Sequence, residues 1–238
     1  MTNASAPAQP LTVYVDGSTI RPPGSRCYYQ SWALIALGAN TEHTAVELSG
    51  ASQVPKEMDG FHEYVAFLKA LELVVLLNRS WHDVIIYTDD QFIAKAPFHL
   101  HTENYSAGAF AVKERFTTLL PRVLAHFGCA LSLDQVLAGL TQARVVSIRS
   151  HQGYVYQERV DYLAKRANQA LVATDVKRGV IPPEVLIPWL GQAESPETLH
   201  EPPLPFTAWL AKGIKRFHSA TQTWTVRHFP FSDQGSSL

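Results

Sequence analysis

Cysteine is scarce in this chain of 238 residues, which has only Cys27 and Cys129. Two isolated cysteines supply neither a disulfide framework nor a paired-cysteine zinc site, so buried reduced thiols are expected. There is no run of about 18 apolar residues, so we expect no membrane helix. Residues 1–10 lack the charged start and apolar stretch of a signal peptide. We therefore expect a soluble, cytoplasmic protein.

Charge is also sparse and nearly balanced. Charged residues make up 17% of the chain, the net charge is −1, and ten histidines are present. Hydrophobic residues make up 46%, which supports a packed core and argues against disorder for the bulk of the chain. A strongly basic total would have indicated a nucleic-acid partner, and its absence is weak evidence against one because a neutral total can hide a basic face.

The apolar pattern alternates between strands and helices along the chain. Strands are predicted at 11–16, 28–38 and 43–49, and a helix capped by Asp59 is predicted from there to about 78. The elements predicted after it are a strand at 84–88, helices near 90–96, 110–127 and 132–140, a strand at 145–149 and a helix at 156–174. This order predicts an α/β fold with a mixed sheet, three strands of it antiparallel, flanked by helices.

Four acidic residues fall on these elements where a metal site could form. Asp16 and Asp89 lie at strand ends, Glu63 lies in the first turn of a helix, and Asp161 follows His151 by ten residues. Carboxylates are costly to gather unless cations hold them together. If the four converge, a pair of magnesium ions is the expected reason and phosphodiester cleavage the expected chemistry.

Each of these residues also has a purely structural interpretation. Asp16 could form a turn before Gly17, and Glu63 could interact favourably with the helix dipole. Asp89 or Asp90 could cap the following helix, and Asp161 could pair with Lys165 one helical turn away. His151 could be an ordinary surface loop residue. Only their joint occurrence favours catalysis.

Five short segments occur in a consistent order over residues 11–172. They are YVDGS (14–18), HEYVAFLKALE (62–72), TDDQF (88–92), SHQG (150–153) and ERVDYLA (158–164). On these segments the chain resembles type 1 ribonuclease H, a family of the ribonuclease H-like superfamily. The resemblance implies a five-stranded mixed sheet, with three antiparallel strands followed by parallel ones.

The resemblance also implies a site and an activity. Asp16, Glu63, Asp89 and Asp161 match the family's metal-binding carboxylates, and His151 matches a loop histidine that assists the attacking water or product release. Gln91 and Ser18 are implied as substrate-binding residues. The implied protein is a metal-dependent endonuclease that uses Mg²⁺, with Mn²⁺ as a substitute, and cleaves the RNA strand of RNA–DNA hybrids.

The chain departs from the family pattern at substrate-reading positions. A Gly-rich loop after the first strand is replaced by residues 21–26, and a pair of asparagines before the helix glutamate is replaced by Asp59 and Gly60. The stretch 98–143 has few basic residues and no Trp, where many members carry a basic protrusion. These departures motivate an alternative function, a nucleic-acid-binding or scaffold module with little or no turnover.

Composition divides the chain into four segments. Residues 1–10 are expected to be disordered, and 11–177 to form the ribonuclease H-like domain. Seven of the fifteen prolines fall between Pro182 and Pro205, so 178–205 is predicted to be an extended connection. Residues 206–238 form a C-terminal extension of unknown role, in which aromatic and basic residues could either dock on the core or contact nucleic acid.

Overall fold

The computed structural model describes residues 10–22, 26–39, 44–95, 118–149, 154–180 and 227–230. The main elements are β1 (Leu11–Ile20), β2 (Tyr28–Leu37), β3 (Thr44–Val54), α1 (His62–Leu76), β4 (Val84–Thr88), α2 (Leu133–Gln142), β5 (Arg144–Ser147), α3 (Val155–Lys177) and β6 (Arg227–Pro230). Residues 91–95 and 118–126 are also helical. His151 and most of the predicted segments 1–10, 178–205 and 206–238 lie outside the described residues.

One mixed sheet organises the described part of the chain, with the strand order β5-β4-β1-β2-β3-β6. Strands β1, β2 and β3 pair antiparallel in sequence, whereas β1 pairs with β4 and β4 with β5 in parallel. The predicted five-stranded mixed sheet is therefore confirmed. A sixth strand, β6, pairs antiparallel with the outer edge of β3 through residues 44–47.

The two faces of the sheet are covered by different helices. Leu11, Val13 and Val15 alternate along β1 onto the face that packs against α1, and all three are fully buried. On the opposite face α3 crosses β1, β2 and β3, with Val160 and Ala164 packed against β2. Every residue of β2 is buried because helices cover both faces of this central strand. Each fully buried aliphatic side chain contributes roughly 1.5–3 kcal/mol.

The cap predicted for α1 is wrong, whereas the cap considered for Asp90 is present. Asp59 does not cap α1, because Gly60 adopts a φ of +84° and reverses the chain, which leaves Phe61 as an N-cap without a side-chain acceptor. In contrast, Ser132 forms a full capping box with Gln135 at the start of α2. The Asp90 carboxylate accepts hydrogen bonds from the main-chain N–H groups of residues 92 and 93 at the start of the helical segment 91–95.

Strand β3 is longer than its sequence pattern predicts, ending at Val54 rather than near residue 49. Its second half contains Gly50, whose missing side chain leaves room for the Trp32 ring: a β-carbon there would lie 2.9 Å from that ring. None of the helices that the structure describes is long and apolar enough to cross a membrane.

Candidate metal centre

Three of the four predicted acids meet at one end of the sheet. Among the described residues, one carboxylate oxygen from each of Asp16, Glu63 and Asp89 lies within 4.8 Å of the others. They come from three elements: Asp16 from β1, Glu63 from the first turn of α1, and Asp89 from the residue after β4. Asp16 is buried, with 5% of its surface exposed, and the other two are half-buried.

The parallel pairing of β1 and β4 brings Asp16 next to Asp89. Tyr14 pairs in register with Tyr87, and the two strands run in the same direction. Asp16 follows Tyr14 by two residues, and Asp89 follows Tyr87 by two residues. Side chains two residues apart in a strand share a face, and paired strands lie about 4.8 Å apart. The two carboxylates are therefore neighbours because of the register of the sheet.

Glu63 reaches the other acids because α1 approaches β1 closely at Gly17. The main-chain N–H of Gly17 donates a hydrogen bond to Oε2 of Glu63 at 3.2 Å. A β-carbon at position 17 would lie 2.4 Å from the carbonyl carbon and oxygen of His62. Only glycine leaves room for the first turn of the helix at this distance from the strand.

The cluster resists ionisation in the absence of a cation. Burial, followed by repulsion from Asp89 and Asp161, raises the pKa of Asp16 to about 8. Burial, followed by repulsion from Asp16 and Asp89, raises the pKa of Glu63 to about 10. A divalent cation would offset this repulsion, and carboxylate oxygens are the ligands that Mg²⁺ and Mn²⁺ prefer. The residues present therefore fit a divalent metal site.

Asp161 lies beside the cluster rather than inside it. Its Oδ2 accepts a hydrogen bond from Nζ of Lys165 at 2.7 Å, one helical turn along α3. It is still near enough to raise the pKa of Asp16. The ion pair with Lys165, which the sequence predicts as the structural alternative for Asp161, is therefore present. Asp161 nevertheless lies close to the acid cluster.

The predicted substrate-binding residues flank the cluster. Gln91 is exposed at the start of the helical segment 91–95, and its Oε1 accepts a hydrogen bond from Nζ of Lys95 at 3.5 Å. Ser18 lies in β1, two residues after Asp16, and its carbonyl oxygen accepts a hydrogen bond from the Asn168 amide. His151 lies outside the described residues, so its role stays a prediction.

Sequence reasoning missed the role of His62 beside the cluster. Its Nε2 lies 3.7 Å from Oε1 of Glu63. Burial lowers the pKa of this imidazole, although Asp59 and Asp90 oppose the shift. Its position directly before a candidate ligand was the only signal in the sequence. Buried polar side chains on α3, Gln157 and Asn168, were missed as well.

Comparisons with known proteins gave structural matches only. No family model matches the chain, and no curated protein matches its sequence. One similar solved structure is LC11-RNase H1 in complex with an RNA/DNA hybrid, at 15% identity and a TM-score of 0.41, covering 68% of this chain and 99% of that chain.

Two further ribonuclease H structures are similar. The N-terminal RNase H domain of a Mycobacterium tuberculosis protein, fused to maltose binding protein, is 13% identical with a TM-score of 0.38, covering 67% of this chain and 96% of that chain. RNase H1 from the halophilic archaeon Halobacterium salinarum is 17% identical with a TM-score of 0.38, covering 67% of this chain and 98% of that chain.

The strand order is the one that the sequence resemblance implied. Three antiparallel strands in the order β1-β2-β3, with β4 and β5 added in parallel beside β1, form a ribonuclease H-like sheet. The segments on which the resemblance to type 1 ribonuclease H rests lie on these elements and their flanks, apart from residues 150–153, which are outside the described residues.

Proposed function

We propose that the chain is a metal-dependent endonuclease of ribonuclease H type that hydrolyses phosphodiester bonds, with the RNA strand of an RNA–DNA hybrid as its substrate. The observation that carries the proposal is the convergence of Asp16, Glu63 and Asp89 within 4.8 Å at the end of a ribonuclease H-like sheet. Burial and repulsion raise the pKa of Asp16 and of Glu63, and a divalent cation bound at the cluster would offset that repulsion.

The residues would divide the work as follows. Asp16, the buried acid of the three, would hold a pair of ions together with Glu63 and Asp89. When bound, a pair of Mg²⁺ ions supplies a lowered pKa for the attacking water and neutralisation of charge on the leaving oxygen. Asp161 would join the ligand set from α3, and Gln91 and Ser18 would contact the substrate strand.

A neutral histidine is suited to proton transfer near neutral pH. In this proposal His151, in the segment between β5 and α3, moves a proton during attack or product release. The hybrid is proposed as substrate on the family resemblance of the site residues, and the overall charge of −1 makes local basic groups and metal ions the source of phosphate affinity.

The test is cleavage of a hybrid duplex whose RNA strand is end-labelled. The wild-type protein with MgCl₂ is expected to produce internal RNA fragments, and Asp89→Asn should lower the rate at least about 100-fold, the upper range for loss of an outer-shell partner. Asp90→Asn is the matched control. Asn also serves as an N-cap, and position 90 is outside the cluster, so this variant should retain the wild-type rate.

An inactive wild type, or an Asp89→Asn variant as active as wild type, would defeat the proposal. Duplex DNA, duplex RNA and single-stranded RNA tested in parallel separate hybrid selectivity from general nuclease activity. Cleavage of duplex RNA at the hybrid rate would overturn the substrate assignment while leaving the metal chemistry in place.

A second candidate function is nucleic-acid binding without efficient turnover. The observation that favours it is the ion pair between Asp161 and Lys165. Asp161, the fourth predicted ligand, is bonded to a lysine and is not part of the cluster of Asp16, Glu63 and Asp89. Tight hybrid binding at low salt with no cleavage in Mg²⁺ or Mn²⁺ would support this function. Failure to bind any nucleic acid at low salt would count against both functions.

A further inference from the structure

The face of α3 that lies against β1 is unusually polar. Gln157, Asp161, Ala164 and Asn168 are spaced by four, three and four residues, so they form a single stripe along the helix. Gln157 is 2% exposed and Asn168 is fully buried. The predicted fourth metal ligand thus lies between two buried amide side chains on one helical face.

Both amides bond to the main chain of β1, on either side of Asp16. The Gln157 amide donates to the carbonyl oxygen of Val15 at 3.2 Å, and the Asn168 amide donates to the carbonyl oxygen of Ser18 at 2.9 Å. Between them, the Ser31 hydroxyl donates to the carbonyl oxygen of Ala164 at 2.6 Å. Two hydrogen bonds to β1, on either side of Asp16, and one from β2 therefore connect α3 to the sheet.

The hydrogen bonds of Gln157 and Asn168 are not the arrangement that would give the folded state its greatest stability. Among the described residues, Oε1 of Gln157 and Oδ1 of Asn168 find no donor, although both atoms are buried. A buried polar atom without a partner costs free energy, and an apolar side chain of the same size would avoid that cost. An apolar contact, however, tolerates sliding and rotation of the helix, whereas a hydrogen bond constrains both distance and angle.

The axial position of α3 matters because it carries Asp161. A shift of the helix by one residue moves this carboxylate by about 1.5 Å. Oxygen ligands of Mg²⁺ must lie at roughly 2.0–2.1 Å in near-octahedral geometry, so a shift of that size removes a ligand from the ion.

We propose that Gln157 and Asn168 are positioning residues of the metal centre, which fix α3 on β1 so that Asp161 can join Asp16 at a shared ion. This inference rests on the proposed function. The two side chains contact main-chain carbonyls of β1 and are not part of the carboxylate cluster of Asp16, Glu63 and Asp89. They would act through the strand residues on either side of Asp16.

The test compares three variants that each remove one buried hydrogen bond between α3 and the sheet. Gln157→Met and Asn168→Leu keep the approximate volume and lose the amide. Tyr29→Phe is the matched control, because the Tyr29 hydroxyl donates to Oδ2 of Asp175 at 2.9 Å near the far end of α3. Mn²⁺ binding is titrated by calorimetry at a temperature where every variant is folded, and kcat and KM are then measured on the hybrid.

Wild type is expected to bind two Mn²⁺ ions. Gln157→Met and Asn168→Leu should weaken the second ion about 10-fold or more, a typical effect of losing an outer-shell partner. They should lower kcat with little change in KM, and Tyr29→Phe should change neither the binding of Mn²⁺ nor kcat. If Asn168→Leu does not fold, Asn168→Ser replaces it, because serine retains a donor on a shorter side chain. Its affinity for the second ion should lie between the wild-type affinity and an affinity about 10-fold weaker.

The outcomes separate this inference from the function on which it rests. Two ions bound equally well by wild type and by the folded α3 variants would overturn the positioning role alone, as would equal losses in Tyr29→Phe. A wild type that binds no Mn²⁺ would overturn the proposed function together with this inference.

Discussion

Gly17 in β1 and His62 at the start of α1 are in direct main-chain contact, so close that a β-carbon on residue 17 would lie 2.4 Å from the His62 carbonyl. Both partners at this contact are backbone atoms, which cannot rotate away. The contact places the first turn of α1, and with it Glu63, beside Asp16 and Gly17 within β1. The position of Glu63 therefore depends on the absence of a side chain at Gly17, the residue that follows Asp16.

Gly17→Ala should push α1 away from β1 and separate Glu63 from Asp16. We expect the unfolding free energy to fall by about 1–3 kcal/mol, as overpacking usually costs, and Mn²⁺ affinity to fall as well. Gly139→Ala in α2 is the control, because the nearest atoms to its added β-carbon would belong to the Leu71 side chain rather than to the main chain, and Gly139 is not part of the acid cluster. Calorimetric titration of Mn²⁺ checks the prediction, and wild-type affinity in Gly17→Ala would contradict it.

The stability of the metal-free protein should decrease as the pH rises. The pKa of Asp16 is raised from 3.8 to about 8, and that of Glu63 from 4.5 to about 10. Between pH 5 and 8 the folded state therefore keeps protons that the unfolded state has released. Raised carboxyl pKa values contribute stability that is complete below the unfolded pKa and is lost as the pH rises through the folded pKa.

Urea unfolding in EDTA at pH 5.5 and pH 8 measures this loss. One retained proton corresponds to about 1.4 kcal/mol per pH unit, so wild type should be clearly less stable at pH 8. Asp16→Asn removes one of the two titrating groups and the charge that repels Glu63, so its stability should depend less on pH. Equal slopes for the two proteins would show that the acid cluster is not the cause.

Asp161 and Lys165 can be separated by function. The pair is partly exposed, with 26% and 53% of the respective side chains accessible, so Asp161→Asn and Lys165→Gln should each change the unfolding free energy by about 1 kcal/mol or less. If Asp161 serves the metal centre, Asp161→Asn should also reduce hybrid cleavage far more than Lys165→Gln does. Equal cleavage rates for the two variants would restrict Asp161 to its ion pair.

A buried ion pair should dominate the attachment of α3 to β3. Nε of Arg159 donates to Oε1 of Glu47 at 2.9 Å, and Glu47 is 2% exposed. Arg159→Met leaves that carboxylate without its main partner, so we expect a loss of about 3–5 kcal/mol. The double variant Glu47→Gln/Arg159→Met should recover part of this loss in a denaturant-unfolding cycle, and simple additivity would argue against coupling.

The sequence predicts the sheet well where side chains alternate or form a continuous apolar run. Residues 11–16 alternate cleanly and 84–88 are apolar, so the strands β1 and β4 follow from pattern alone, but β1 continues through Gly17 to Ile20 and does not end at Asp16 as predicted. The pattern fails where a missing side chain decides the structure. Strand β3 continues through Gly50, where the missing side chain leaves room for the Trp32 ring, and Gly60 turns the chain so that Asp59 does not act as a cap.

The sequence predicts the candidate metal ligands of the site but not the contacts that hold those ligands in place. Acids placed on the right elements can be found by spacing, whereas the contact at Gly17 and the amide bonds of Gln157 and Asn168 depend on distances between segments far apart in sequence. A sequence pattern carries no information about which main-chain carbonyl a buried amide will reach. Such supports become visible only when helix and strand are docked.

Strand β6 also has a consequence for the behaviour of the folded chain in concentrated solution. It covers residues 44–47 of β3, an edge that would otherwise offer unpaired N–H and C=O groups to another molecule. Truncation before residue 227 would uncover this template and favour edge-to-edge aggregation. The C-terminal strand therefore protects colloidal solubility, even though it lies at the edge of the sheet farthest from β5.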